Sequence, residues 1–312
     1  MSPSIDVIVP VFGNWQLTEK CLASLRAQTV SHRVIVVDDA GGDDTVERLR
    51  AGYPEVTVVA LDENLGFAGA CNRGIAAGTS PLVVLVNNDV EAAPDMLERL
   101  AAAFTDAGVG SAGPLIERPS GVVDAYGICA DVTLAGFVRF AGAAPAELTG
   151  GSRVLGPYGA VAAYRRQALA EVGTFDEGIM MYGEELDLAL RLSAAGWATR
   201  LVPEARAVHV GGATAGRGSA RQRFSAGYGR GYLLRAWGVI PSRHGLRAVA
   251  TELIVCAGDL LMSRDLASTR GRCRGWRAAR GIARPRTTVP GIDTSIGFVE
   301  SLRMRSSDRA AK

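Results

Sequence analysis

The stretch Pro81-Leu-Val-Val-Leu-Val-Asn-Asn-Asp89 constrains this chain most. Its apolar, β-branched run reads as a strand buried on both faces, because a half-exposed strand would alternate polar and apolar residues. It runs into Asn87-Asn88-Asp89, and the sequence then predicts a helix opening at Ala93-Pro94-Asp95. Pro94 suits a first helical position, and Met96, Leu97, Leu100, Ala101 and Phe104 follow at helical spacing. A carboxylate at the carboxyl end of a buried strand stands where open α/β sheets take their ligands. Asn and Asp are also ordinary turn residues, so this cluster alone decides nothing.

The rest of the chain supplies the context. Ile5–Val11 reads as a first strand ending in the loop Phe12-Gly13-Asn14. A helical stripe of Leu17, Cys21, Leu22 and Leu25 follows it. Val34–Val37 reads as a second buried strand closed by Asp38-Asp39, and a helix led by Asp43 and Asp44 comes next, with acids at its positive end. Val56–Leu61 is a third strand, and Asn64-Leu-Gly-Phe-Ala-Gly-Ala-Cys-Asn-Arg-Gly74 enters another helix. Strands alternating with helices of this length predict βαβ units and a mostly parallel central sheet flanked by helices. In such a sheet the clusters at Asn14, Asp38-Asp39 and Asn87–Asp89 fall on one edge and line one crevice. The glycines at 66 and 69 lack the spacing of a dinucleotide fingerprint or a phosphate loop, which excludes a nicotinamide enzyme and a P-loop ATPase.

From about Val109 to Gly156 the pattern is irregular and rich in Gly and Ala, as expected of an acceptor-shaping connection. A short helix over Arg165–Val172 then ends at Gly173. A helix in the second half of Phe175–Arg191 ends at Gly196, and Trp197–Val202 and Ala207–Val210 read as two strands. Glu184, Glu185 and Asp187 crowd the start of that helix, where acids suit the macrodipole and Asp187 can pair with Arg191 at i,i+4. Glu185 is rotated by ~100° from Glu184, so one acid is available to face a crevice. His209, one of three histidines, lies near a strand end before Gly211-Gly212. Hard divalent cations on diphosphates accept carboxylate oxygen and an occasional imidazole.

Pro10-Val11-Phe12-Gly-Asn14, Val37-Asp-Asp39, the Asn64–Gly74 run, Asn87-Asn88-Asp89, Phe175-Asp-Glu177, Glu184-Glu-Leu-Asp187 and His209 stand in the order found in family 2 glycosyltransferases. Over roughly residues 4–212 the chain resembles the rhamnosyltransferase-like members of that inverting family. The resemblance implies a GT-A fold, a nucleoside-diphosphate sugar donor (dTDP- or UDP-linked) and Mg²⁺ or Mn²⁺. It implies that Pro10, Val11, Phe12, Asn14, Asp38 and Asp39 hold the base and ribose. Asn64, Gly66, Asn72, Arg73 and Asn88 would border the same pocket, while Asp89 and His209 would contact the metal or diphosphate. The resemblance implies that the catalytic acid group comes from Glu184, Glu185 and Asp187. Where the family has Glu-Asp, with that Asp as general base, this chain has Glu184-Glu185, so the matching carboxylate sits on one more methylene. The expected acceptor is a glycan or lipid-linked glycan of cell-envelope polysaccharide synthesis, the sugar rhamnose or another hexose.

Two other readings stand beside it. One is a nucleotide-sugar-binding protein of the same fold with impaired catalysis, which the exchange at Glu185 would explain. The other, a sugar nucleotidylyltransferase, needs a Gly-rich, Lys/Arg-bearing loop after the first strand, which Phe12-Gly13-Asn14-Trp15 does not provide. The chain of 312 residues, 48% hydrophobic and 21% charged, can bury a sizeable core. Five scattered cysteines without metal or redox spacing suggest reduced thiols and a cytoplasmic setting. A strand starting at Ile5 argues against a signal peptide, and no apolar run reaches the ~20 residues of a membrane span.

The division expected is a GT-A domain over 1–240 (nucleotide half 1–108, acceptor and catalytic half 109–240) and a helical basic extension over 241–312. Residues 1–242 hold 20 Lys/Arg against 26 Asp/Glu, and residues 243–312 hold 14 against 6. In the extension, Leu246, Val249, Ala250, Leu253, Ile254, Ala257 and Leu261 form one helical stripe, the pattern of core packing. Arg270, Arg272, Arg274, Arg277, Arg280, Arg284 and Arg286 surround Trp276 and Ile282. An acidic body without a nucleic-acid module excludes nucleic acid as partner. The basic tail with Trp276 instead suits peripheral contact with an anionic membrane at its inner face. A homo-oligomer is compatible with this sequence.

Overall fold

The structure, a computed structural model, describes residues 4–148, 153–179, 181–211, 219–285 and 289–310. Gly212 and Arg286 lie outside them. The elements run β1 (Ile5–Val11), α1 (Trp15–Arg26), β2 (Arg33–Asp38), α2 (Thr45–Gly52), β3 (Thr57–Ala60), α3 (Gly66–Ala77), β4 (Leu82–Val86), β5 (Val90–Ala92) and α4 (Met96–Ala102). They continue with β6 (Val109–Glu117), β7 (Val123–Ala125), β8 (Ile128–Ala130), β9 (Gly136–Val138), β10 (Val161–Arg165), α5 (Arg166–Val172), α6 (Glu184–Ala194) and β11 (Ala198–His209). Four helices close the chain: α7 (Ala220–Ala236), α8 (Gly245–Ser263), α9 (Ala267–Ala278) and α10 (Phe298–Ala310).

The main sheet has the order β3-β2-β1-β4-β10-β6-β11-β5, with β7 paired to β6. The first four strands are parallel, as their apolar runs predict. β4 is buried throughout and sits between β1 and β10. β10 runs against both β4 and β6, and β5 and β7 are also reversed, so the whole sheet is mixed α/β. Because β6 opposes β10 and β11 lies parallel to β6, the carboxyl end of β11 falls on the same edge as those of β1, β2 and β4. That edge carries the candidate site.

Several local expectations are corrected. The helix after β4 begins at Met96 rather than Pro94, because Val90–Ala92 first pairs with β11. The irregular region contains β6, a buried nine-residue strand in the body of the sheet. Trp197–Val202 and Ala207–Val210 belong to one strand, β11, whose register shifts between Val202 and Arg206. Pro203, which has no N–H to donate, sits in that irregular segment. The apolar stripe of α8 does not pack into the core: Leu246, Val249, Leu253, Ile254 and Leu261 are exposed.

The extension is nonetheless bound tightly. Gly227 and Gly231 of α7 face the backbone of Ser268 and Arg272, and Gly271 and Gly275 of α9 face the backbone of Phe224 and Tyr228. A methyl group at any of these four would lie within 2.3 Å of a carbonyl oxygen. Two i,i+4 glycine pairs thus set α7 and α9 in backbone-to-backbone contact. From α8, Glu252 accepts bonds from Arg230, Arg272 and Arg305. Arg284 reaches back to Asp187 on α6 at 3.0 Å and to Asp176.

Candidate active site

Three strand ends are pinned to one another. Asp39 N–H donates to Val11 O at 2.8 Å, Asn88 Nδ2 to Gly13 O at 3.3 Å and Thr18 Oγ1 at 3.0 Å, and Asn64 Nδ2 to Asp39 O at 3.2 Å. Asn14 adopts a left-handed conformation, and its carbonyl accepts the first bonds of α1. Pro10, Val11, Phe12 and Asn14 therefore border the same crevice mouth as Asp38 and Asn88, with the Phe12 ring exposed.

Asp38 and Asp39 divide their duties. Both oxygens of Asp39 accept backbone N–H bonds at the head of α3, from Leu65 at 2.7 Å and Gly66 at 3.0 Å. Asp39 thus ties the end of β2 to the head of α3 through both carboxylate oxygens. Burial foremost pushes the Asp39 carboxyl up, opposed by those two bonds. Asp38 is raised too, by burial first and also by Asp43 and Glu47, against a lowering bond from the Gly41 N–H. Its buried Oδ1 makes no well-aligned hydrogen bond, which leaves acceptor capacity for a donor group. Asn72 and Arg73 are spent elsewhere. Asn72 exchanges bonds with the Phe175 backbone at 2.9 and 3.0 Å, and Arg73 pairs with Glu177 at 3.0 Å. They brace the 175–177 loop against α3.

At the far strand end, Asp89 and His209, far apart in sequence, approach to 3.2 Å, measured from Asp89 Oδ1 to His209 Nε2. The Val210 N–H donates to Asp89 O at 3.0 Å, fixing β11 against the β4 turn. His209 Nδ1 contacts Asp124 Oδ2 at 2.7 Å, and Asp124 Oδ1 in turn accepts from Arg118 at 2.9 Å. Burial alone, the largest influence, would lower the imidazole pKa, but the bonds to Asp124 and Asp89 and their charges raise it to about 9. Asp124, on β7, is the site residue the sequence does not reveal, since it stands alone in an irregular stretch. The one available signal is chemical: a ligating imidazole needs an acceptor for its other ring nitrogen.

The acids of α6 separate into three roles. Tyr182 and Gly183 both have positive φ, 67° and 106°, and turn the chain sharply into the helix. Glu184 is buried, its Oε2 has no partner, and burial first and Glu185 second push its carboxyl well above the usual range. Its surroundings therefore favour the protonated form. Glu185 is half-buried, with Oε2 accepting from Gly183 N–H at 3.2 Å. Burial first, and then the charges of Asp124, Glu185 and Asp89, push the Tyr158 hydroxyl up, and the Tyr158 ring stands edge-on to His209 at 6.4 Å between centroids. Asp187 is fully enclosed, binding Arg191 at 2.8 Å, Trp237 at 2.9 Å and Arg284 at 3.0 Å. Its pairing with Arg191 is as the sequence predicts, and it serves structure.

Asp89 and His209 suit a hard divalent cation: a carboxylate oxygen and an imidazole nitrogen converge to 3.2 Å, and a bound cation would displace the ring proton held there. Among the described residues no group of three metal-binding side chains occurs. Two protein ligands are enough where a diphosphate and water complete the shell.

The fold is that of GT-A enzymes. A family model for glycosyl transferase family 2 matches residues 6–173, and the chain belongs to that family of glycosyltransferases. Among curated relatives, N-acetylglucosaminyl-diphospho-decaprenol L-rhamnosyltransferase of Mycobacterium tuberculosis is 29% identical over 257 residues, covering 70% of this chain and 79% of the relative. An N-acetylglucosaminyltransferase of Mesorhizobium japonicum is 31% identical over 229 residues, covering 67% of this chain and 51% of its own. Among solved structures, the mannosyltransferase PcManGT of Pyrobaculum calidifontis, in complex with GDP-Man and Mn²⁺, superposes with TM-score 0.54 at 19% identity, covering 90% of this chain and 86% of that one.

Proposed function

We propose that this glycosyltransferase carries out metal-dependent, inverting transfer from a nucleoside-diphosphate sugar to a hydroxyl of a lipid-linked glycan, at the inner face of the cell membrane, in envelope polysaccharide synthesis. The observation that carries this reading is the Asp89–His209–Asp124 cluster on the strand-end edge. The lipid-linked acceptor follows the rhamnosyltransferase relative, and the relatives' names span several sugars, so rhamnose is one candidate.

Asp38 Oδ1 offers its acceptor capacity to a ribose hydroxyl or base N–H, and the exposed Phe12 ring offers a face for the base. Asp89 and His209 would hold Mg²⁺ or Mn²⁺, with Asp124 fixing the imidazole so that Nε2 points at the site. When bound, the cation supplies Lewis-acid stabilisation of the departing diphosphate. Glu185 takes the proton of the acceptor hydroxyl as its oxygen bonds to the anomeric carbon and the carbon–diphosphate bond breaks. A single displacement inverts that carbon and needs no covalent nucleophile.

Asp89→Ala tests the metal assignment. Calorimetric titration with UDP and dTDP should show Mn²⁺-enhanced binding in the parent chain and none in the variant, with an unchanged circular-dichroism melt. Normal metal-dependent turnover by Asp89→Ala would refute the assignment.

A further inference from the structure

The helix α8 is turned inside out. Its inward side carries Thr251 and Glu252, and Glu252 accepts from Arg230 at 2.7 Å, Arg272 at 2.7 Å and Arg305 at 2.9 Å. Its outward side is Leu246, Val249, Ala250, Leu253, Ile254, Ala257, Leu260 and Leu261, unbroken by any charged residue. Leu246 is 89% exposed, Leu261 79% and Leu253 65%. Rolling the helix to bury the stripe would strip three guanidinium groups of their common carboxylate, so the orientation is locked. An uninterrupted apolar stripe on a helix of 19 residues, ~28 Å long, is more than scattered surface leucines explain.

We propose that this outward face of α8 docks in the plane of an anionic lipid bilayer. The charges around it fit that surface and no other as well. Exposed Arg243 and Arg264 bracket the stripe, α9 adds exposed Arg270, Arg274 and Arg277, and exposed Arg280 follows just beyond it. An apolar face up to a few turns long, flanked by basic groups, inserts at the headgroup boundary, and each Arg near an anionic surface adds to the attraction. No helix among the described residues is long and apolar enough to cross a membrane, so the contact is in-plane. A second copy fits poorly, since pairing α8 with itself in either direction brings Arg243 and Arg264 against arginines. The basic tail alone is not the contact surface. Arg272 and Arg284 are consumed by Glu252, Asp187 and Asp176, and Trp276 packs under the Arg235 guanidinium, 5.4 Å from ring centroid.

The proposal rests on the lipid-linked acceptor only for its purpose, and binding is read without donor or acceptor. Vesicle co-sedimentation of the full chain decides it, with phosphatidylglycerol/phosphatidylcholine vesicles against phosphatidylcholine alone. The full chain should pellet with the anionic vesicles at low salt and several-fold less at high salt. Leu253→Glu with Leu261→Glu should reduce the bound fraction at least tenfold while the melting curve is unchanged. Leu253→Gln with Leu261→Gln replaces that pair if its melt is altered. Equal pelleting of parent and variant, or none by the parent at low salt, would overturn the proposal. So would a dimer of the parent on size exclusion that becomes monomeric in the variant without any vesicle binding.

Discussion

Glu184 and Glu185 are adjacent carboxyls in different surroundings, one buried and one half-exposed. Glu184 has no partner for Oε2, and burial first and Glu185 second raise its carboxyl, so the folded chain keeps this proton to higher pH than the unfolded chain does. A raised folded-state pKa means that this stability is fully present below the ordinary glutamate range and is lost as pH rises towards the raised value. Glu184→Gln copies the neutral acid. Its melting temperature should therefore equal or exceed that of the parent, with a gap that widens from pH 5 to pH 8 in thermal scans. A gap that closes with rising pH would contradict the raised pKa. The sequence singles out Asp89 and the acid pair because they stand in short motifs, and the fold brings His209 to 3.2 Å from Asp89. Asp124 was not legible there, because an orienting carboxylate needs only to be near in space, and Asp39, Asn72 and Arg73 proved to be bound into the scaffold.

At the scale of elements, legibility follows side-chain size. β1, β2 and β4 announce themselves as apolar runs because helices cover both faces. β6 reads Val-Gly-Ser-Ala-Gly-Pro-Leu-Ile-Glu and is equally buried, yet hidden. Its glycines face crowding neighbours: a methyl at Gly110 would meet Trp197 at 2.6 Å and one at Gly113 would meet Pro157 at 3.0 Å. Close approach removed the residues that mark a strand. The stripe of α8 was visible, but periodicity shows only that one face is apolar, and the buried Glu252 decides which way it points. Burial would raise the Glu252 carboxyl, but Arg230, Arg305 and Arg272 outweigh it and hold it well below the usual range. That stability is present above the ordinary glutamate range and is lost as pH falls below it. Glu252→Gln leaves three arginines without their counter-charge and should cost ~3–5 kcal/mol in urea unfolding at pH 7. A cost under ~1 kcal/mol would mean that the cluster is solvated rather than buried.

In the whole molecule, the two halves of the sheet meet at one edge, where the first half offers Asp38 and Asp89 and the second His209 and Glu185. The extension tightens the second half: α9 is set on α7 through paired glycines, α7 packs beneath the Tyr182–Gly183 turn, and Arg284 clasps Asp187. A methyl at Gly229 would fall 1.8 Å from Tyr182 O, so the turn that launches Glu185 rests directly on the α7 backbone. This coupling could not be read from the chain, since it depends on backbone contact between segments with weak hydrophobic patterns. It ties the longer reach of Glu185 to a fixed support, the arrangement a base needs when a misplacement of ~1 Å is costly. The central claim is that Glu185 takes the acceptor's proton while Asp187 only holds the helix. Single-turnover transfer with Glu185→Gln, measured beside donor affinity and melting temperature, tests it most directly. The expected result is a rate ~10²–10⁴-fold lower with donor binding and melting unchanged, and Asp187→Asn showing mainly a lowered melting temperature. A near-normal rate in Glu185→Gln, with the large rate loss appearing instead in Asp187→Asn at unchanged stability, would contradict it.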